Sequence, residues 1–212
     1  MRGSLDLAPG GTLALDLDGE QLRAGTLAWT QLTGRLAGTR EDHRLTLDAQ
    51  GSPLGLSLYL AGGLGEEWQW RGQIADLRLA AGELGSWALT APAALALAAD
   101  GTTLEDLCLT HDSAELCTQV RAGAGEAAGT LQLRQLPGRF FEPWLPPDVA
   151  IDTLLASTVE WRLGGDGAVT LDALIEATQS GERCKLLNCA CDKNKLSVSA
   201  TALLWASKSR AD

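Results

Sequence analysis

The side chains of this 212-residue chain with reactive chemistry are few: five cysteines, two histidines and scattered carboxylates. Cys108 and Cys117 bracket Leu109-Thr110-His111-Asp112-Ser113-Ala114-Glu115-Leu116. With Asp112 and Ser113 as a two-residue turn, His111 pairs with Ala114, Leu109 with Leu116, and Cys108 with Cys117. The cysteines then fall at a non-hydrogen-bonded pair, where the Cα atoms of an antiparallel ladder come closest. That separation lies at the short end of what a disulfide accepts. Leu107, Leu109 and Leu116 share the opposite face, so the register that joins the sulfurs also aligns the leucines. A Cys108–Cys117 disulfide is expected, and with it an oxidising compartment such as the bacterial periplasm.

The remaining candidates are weaker. Cys184, Cys189 and Cys191 are three thiols with no histidine nearby, short of the four ligands of a structural zinc site, so no metal is expected. His43 and His111 are far apart in sequence and read as surface turn residues. Asp16-x-Asp18-Gly19-Glu20 has the start of a calcium loop but not its length or later ligands, and reads as a hairpin turn. Gly164-Gly165-Asp166-Gly167 occurs once and also reads as a turn. No nucleophile elbow, phosphate-binding loop or dinucleotide fingerprint is present, so no enzymatic activity and no cofactor are expected.

Charge narrows the partners. The formal net charge is −10, and without a cationic footprint to meet phosphate a nucleic-acid partner is not expected. The uncharged run Leu84–Ala99 is too short for a membrane span and is broken by Pro92. Met1-Arg2-Gly3-Ser4 lacks the apolar stretch of a signal peptide, so a targeting segment is expected outside this sequence.

The elements that carry these residues have period two almost throughout. Leu13, Leu15 and Leu17 alternate with Ala14, Asp16 and Asp18, and Leu45 and Leu47 with Arg44, Thr46 and Asp48. Leu54, Leu56, Leu58 and Leu60 alternate with Gly55, Ser57 and Tyr59, and Trp68, Trp70 and Ile74 with Gln69, Arg71 and Gln73. Leu131 and Leu133, then Val159, Trp161 and Leu163, repeat the pattern. Period two places every second side chain on one sheet face, so each segment reads as a half-wet strand. Asp18-Gly19, Asp100-Gly101 and Asp166-Gly167 supply turn residues for φ > 0 positions. A two-residue loop at the first sets Leu15 opposite Leu22, and at the second Leu97 opposite Leu104. Roughly a dozen strands in antiparallel meanders follow from this spacing.

Residues 1–135 read as one β-repeat segment. Residues 136–148 hold Pro137, Pro143, Pro146 and Pro147 with Phe140, Phe141 and Trp144, a linker between segments. Residues 149–175 begin the next β segment. Residues 176–212 differ in kind: all four lysines and three of the five cysteines fall there. In an otherwise lysine-free, Leu/Ala/Gly-rich chain, this tail reads as a frameshift or assembly artefact.

A strand with one apolar face needs that face covered by a second sheet, by barrel closure or by a ligand. The apolar sets are the candidate lining: Leu13, Leu15, Leu17, Leu45, Leu47, Leu56, Leu58, Trp70, Ile74, Leu95, Leu97, Leu107, Leu109, Leu116, Leu131, Leu133, Val159, Trp161 and Leu163.

The stretch Trp68–Leu163 carries a resemblance. Trp70-Arg71-Gly72-Gln73 opens a strand, Gly85-Ser86-Trp87-Ala88-Leu89 leads into Ala91-Pro92-Ala93, and Leu107-Cys108 and Leu116-Cys117 follow. Leu136-Pro137, Leu145-Pro146 and the strand bearing Trp161 complete the series. In order, these resemble the middle region of the TamB family of AsmA-like envelope proteins. The resemblance implies a long, curved, open antiparallel sheet folded like a taco (a β-taco) with an apolar interior, in a periplasmic protein anchored to the inner membrane of a Gram-negative bacterium. It further implies phospholipid as cargo, moved between the inner and outer membranes, and a TamA-type outer-membrane barrel as partner through regions absent from this chain. The alternative it carries is a scaffold for outer-membrane protein and autotransporter assembly by strand-edge pairing. An adhesin-like solenoid or sandwich with a closed core is the third possibility.

Overall fold

Leucine is not a strong strand former, yet leucine at every second position can bury one face only as a strand, and here the period outweighs the propensity. The computed structural model describes residues 2–25, 27–138, 140–141, 153–178 and 195–203, the last as backbone. Its strands are β1 (Arg2–Leu5), β2 (Thr12–Ala24), β3 (Leu27–Thr39), β4 (His43–Ser52), β5 (Gly55–Leu64), β6 (Trp70–Ala80), β7 (Ser86–Leu89), β8 (Ala93–Ala98), β9 (Gly101–His111), β10 (Ala114–Gly123), β11 (Glu126–Pro137), β12 (Leu154–Leu163), β13 (Ala168–Thr178) and β14 (Lys195–Leu203). A 3-10 turn, Gly82–Leu84, lies between β6 and β7. The chain divides into two units, Met1–Asp112 and Ser113–Asp212.

In the first unit the ladders follow chain order from β1 to β6, all antiparallel. β7 and β8 then share one place. β7 pairs with the C-terminal part of β6 and β8 with its N-terminal part, and both pair with β9. They are two halves of one strand broken at Thr90-Ala91-Pro92. In the second unit β10 to β14 pair in order, again antiparallel. Among the described residues no ladder joins the first strand of either unit to its last, so neither closes into a barrel. The expected all-β, open antiparallel sheet is the fold that forms.

Three Asp-Gly turns were expected, and one of these stands as placed. Asp166 and Gly167 lie in the connection between β12 and β13, with Gly167 at φ 81° and the Asp166 carboxylate accepting from Ala168 N–H at 2.9 Å. Asp18-Gly19 is not a turn: β2 runs straight through it, Leu15 faces Leu36, and Leu22 faces Trp29. The chain turns instead at Gly25, φ 61°, which gives β2 and β3 thirteen residues each to pair. A turn at Asp18-Gly19 would have halved that ladder. Asp100-Gly101 is displaced by one residue: Ala98 pairs with Gly101, leaving Ala99 and Asp100 in the loop, and Leu104 faces Leu95 rather than Leu97.

β-Bulges explain where simple alternation stops. Apolar positions change parity inside four strands: Leu17 to Leu22 in β2, Ile74 to Leu77 in β6, Leu104 to Leu107 in β9, and Leu133 to Leu136 in β11. An extra residue marks β6 at Ala75, and the β11 register shifts between Leu133 and Leu136. Asp106 and Gln135 take φ 53° at the β9 switch and beside the β11 shift, whereas Gln21, φ 54°, switches β2 with its β3 register unbroken, and the extra residue there is Thr30 of β3, against β4. A bulge inserts one unpaired residue and so returns the next apolar side chain to the same face. β11 also continues through Leu136 and Pro137, opposite Leu155 and Leu154. Pro143, Trp144, Pro146, Pro147 and the start of the next segment before Thr153 lie outside the described residues, as do Cys184, Cys189 and Cys191.

Candidate functional site

Register converts the separate leucine runs into rows that cross the strands. In the first unit, Leu15, Leu36, Leu45, Leu60, Ile74 and Ala93 are successive cross-strand partners. A second row is Leu17, Gly34, Leu47, Leu58 and Leu77, and a third Leu32, Ala49, Leu56, Leu79 and Trp87. Leu13 begins a fourth through Gly38, His43, Gly62 and Gly72 to Leu95 and Leu104. Trp70 faces Leu97, and Leu89 faces Leu109. Leu107 packs with Leu109 against Ile74 and Leu77.

The second unit repeats the arrangement. Leu116, Leu133, Ser157 and Ile175 form one row, and Leu131, Val159 and Ala173 another. Val120, Gly129, Trp161 and Leu171 form a third, and Ala127, Leu163 and Val169 a fourth. The β13–β14 register continues all four, setting Leu196, Val198, Ala200 and Ala202 opposite Ile175, Ala173, Leu171 and Val169. Every candidate lining residue therefore sits in or beside such a row within its own unit. Sequence reasoning left out Leu36, Leu77, Leu79 and Ala93, because bulges and intervening glycines blur their alternation.

The rows are only partly covered. Of the nineteen candidates, Leu13, Ile74 and Leu109 are buried, Leu97 is 42 % exposed, and the rest are half-buried. No large side chain among the described residues is fully buried, whereas the leucines of a closed sandwich core would be. The opposite face of β2–β4 carries Asp16, Asp18, Arg35, Thr46 and Asp48. An open hollow of about 730 Å³ lies there, lined mainly by polar side chains. Arg35 Nε stands 3.8 Å from Asp16. That hollow suits water and ions; apolar chains belong on the other side of the sheet.

Three tryptophans carry their indole N–H groups to acceptors. Trp29 donates to the Leu54 carbonyl at 3.1 Å, Trp87 to the Leu84 carbonyl at 2.9 Å, and Trp70 to His43 Nε2 at 2.8 Å. His43 Nδ1 lies 3.0 and 3.1 Å from the Thr39 and Arg40 carbonyls, so its proton sits on Nδ1 and Nε2 is the acceptor. Three indoles also lie against glycines: Trp29 on Gly51, Trp70 on Gly62 and Gly72, and Trp161 on Gly129. The glycines leave room that a side chain would fill, and the rings cover the backbone they expose. Both histidines are half-buried parts of such networks, not surface turn residues as expected. His111 Nδ1 is 2.8 Å from the Ser86 carbonyl, and its ring lies beside Trp87. Trp68 stands apart, 61 % exposed, with the Arg40 guanidinium 5.4 Å from its ring. Asp16 and Asp18 are mid-strand, neither calcium loop nor turn.

Arg40 was not foreseen. It is buried, 9 % exposed, and donates from Nη1 to the Leu7 carbonyl at 3.3 Å and from Nη2 to the Gly65 carbonyl at 2.7 Å. It pins two connections to the end of β3. The expected Asp112-Ser113 turn separates β9 from β10, with Asp112 at φ 50°, and Cys108 and Cys117 are disulfide-bonded.

An open antiparallel sheet, polar on one face and crossed on the other by half-exposed apolar rows, defines an all-β protein whose working surface is a sheet face. The family model described as "TamB, N-terminal domain" matches residues 1–201, and the chain belongs to that family. Membership places it among bacterial envelope proteins linked to outer-membrane assembly and lipid transport. The matched span takes in β1–β13 and most of β14. No curated protein and no solved structure matches the chain.

Proposed function

We propose that the apolar rows carry phospholipid acyl chains, and that this chain is a non-catalytic section of a periplasmic conduit between the inner and outer membranes, within a parent protein anchored to the inner membrane. The observation that carries the reading is the row itself: apolar partners on strand after strand, half-exposed and uninterrupted by charge. Exposing one acyl CH₂ to water costs about 0.8 kcal/mol, so a whole chain in water costs on the order of 10 kcal/mol. An acyl chain is about half the ~30 Å hydrocarbon thickness of a bilayer, or about three strands at ~4.8 Å spacing. Rows that cross five or six strands let a chain advance without leaving apolar contact, while its head group stays in water.

The test is to purify the protein from membranes, extract it, and measure bound phospholipid, then add phospholipid with a photoactivatable acyl chain. Copurifying lipid and crosslinks on the apolar face are expected. Lipid-free protein that takes up no label refutes the proposal. Assembly of outer-membrane proteins by strand-edge pairing is the second reading, favoured by β1, which has one ladder partner among the described residues. It predicts crosslinks from β1 to unfolded barrel strands and none to lipid. A TamA-type barrel partner belongs to either reading and acts through regions outside this chain.

A further inference from the structure

The apolar face of the first unit is not uniform. Across β2–β5 its leucines are half-exposed, apart from Leu13 near the start of β2, but at β6, β8 and β9 the face closes into a cluster. Ile74 and Leu77 are each 8 % exposed, Leu109 5 % and Ala93 0 %, and these four form one buried cluster. The backbone supplies the reason. Ala75 is an unpaired extra residue in β6. Directly across from it, the shared strand of β7 and β8 is broken at Thr90-Ala91-Pro92. Next to that break, β9 passes through Asp106 at φ 53°, between its ladder with β8 and its ladder with β7. Three neighbouring strand positions are thus irregular at one level. Each irregularity raises the local twist and bends its strand, and aligned they form a crease. Side chains on the inner side of a crease converge, and the four residues of the buried cluster lie on it.

We infer that Ile74, Leu77, Ala93 and Leu109 form a constriction in the lipid path, filled by protein side chains in the resting state, and that it limits how far an acyl chain on the open β2–β5 face can advance toward β9. The inference rests on the conduit reading. Ala93 is the pivotal position: with no exposed surface, it can accept no larger side chain without pushing its neighbours apart or obstructing the path.

The experiment places a photo-crosslinking amino acid, one at a time, at Leu15, Leu45, Leu77 and Leu109 in the full-length parent protein in cells, and measures phospholipid adducts. Adducts at Leu15 and Leu45, several-fold fewer at Leu77 and Leu109, are expected. Equal labelling at all four overturns the constriction while leaving the conduit intact. Labelling at none overturns the conduit itself. Because a bulky probe in the cluster could unfold it, two smaller changes are measured alongside. Leu77→Ala should raise labelling at Leu109 several-fold, and Ala93→Val should slow lipid transfer while labelling at Leu45 persists. If Leu77→Ala leaves Leu109 unlabelled and Ala93→Val transfers lipid at the normal rate, the constriction is refuted.

Discussion

Leu45→Asp tests the apolar face most directly. Leu45 is half-buried in β4, with Leu36 and Leu60 as its cross-strand partners. An acyl chain following that row passes over all three. Aspartate there removes leucine contact with the chain, about 1 kcal/mol for a side chain already half covered. It also sets a carboxylate against hydrocarbon, about 2.5–3.5 kcal/mol at a bilayer centre. Because the site is half-exposed the carboxylate keeps part of its water, and the sum falls to about 2–3 kcal/mol, a roughly 30- to 150-fold weaker affinity for phospholipid. Leu45→Ser loses the contact without the charge, so about fivefold is expected. Thr46→Asp adds the same charge one residue along on the polar face and should change affinity by less than about twofold. Titration with fluorescent phospholipid gives the affinities, and circular dichroism melts establish that each variant is folded. Equal losses in Leu45→Asp and Thr46→Asp, or none in either, would show that lipid does not lie on this face.

Two further changes probe the sheet that presents it. A Cβ at Gly129 would stand 2.6 Å from the Gln119 carbonyl and 2.7 Å from the Trp161 ring, so Gly129→Ala should cost about 1–3 kcal/mol in urea melts. That cost should shrink in a Trp161→Ala background, and strict additivity of the two would contradict the ring-on-glycine contact. Arg40→Ala removes two guanidinium hydrogen bonds from a buried site, for an expected loss of about 2–4 kcal/mol in the same melts, and Arg40→Lys should recover part of it. A loss under about 0.5 kcal/mol would mean the connections at Leu7 and Gly65 hold without it.

What the sequence disclosed follows from what is local. Alternation depends only on neighbours in the chain, so the strands bearing Leu13, Leu45, Leu56, Leu131 and Trp161 were legible, as was the turn at Asp166-Gly167. Turn residues, however, are permissive rather than compelling. Asp18-Gly19 fits a hairpin, but pairing β2 with β3 over their full length outweighed that preference and carried the turn to Gly25. The bulges had a readable signal, the change of parity from Ile74 to Leu77 and from Leu104 to Leu107, which simple period counting passes over. Cross-strand facts had none. That Trp161 covers Gly129, that Trp70 reaches His43, and that Arg40 is drawn inside by carbonyls from two connections all depend on register, which no single segment specifies.

Chain-order pairing within each unit has a consequence for how such a protein is made and lengthened. Each hairpin finds its docking edge on the strand synthesised just before it, so ordering can keep pace with emergence from the ribosome and needs no distant segment to arrive. Inserting a hairpin at an exposed turn, such as the one at Ala124 and Gly125, would displace no existing partner except at the point of insertion. Each such addition would extend the unit by two strand widths, roughly 9–10 Å. Growth by copying is therefore open to this architecture in a way it is not to a closed barrel, where one more strand changes the circumference for all the others.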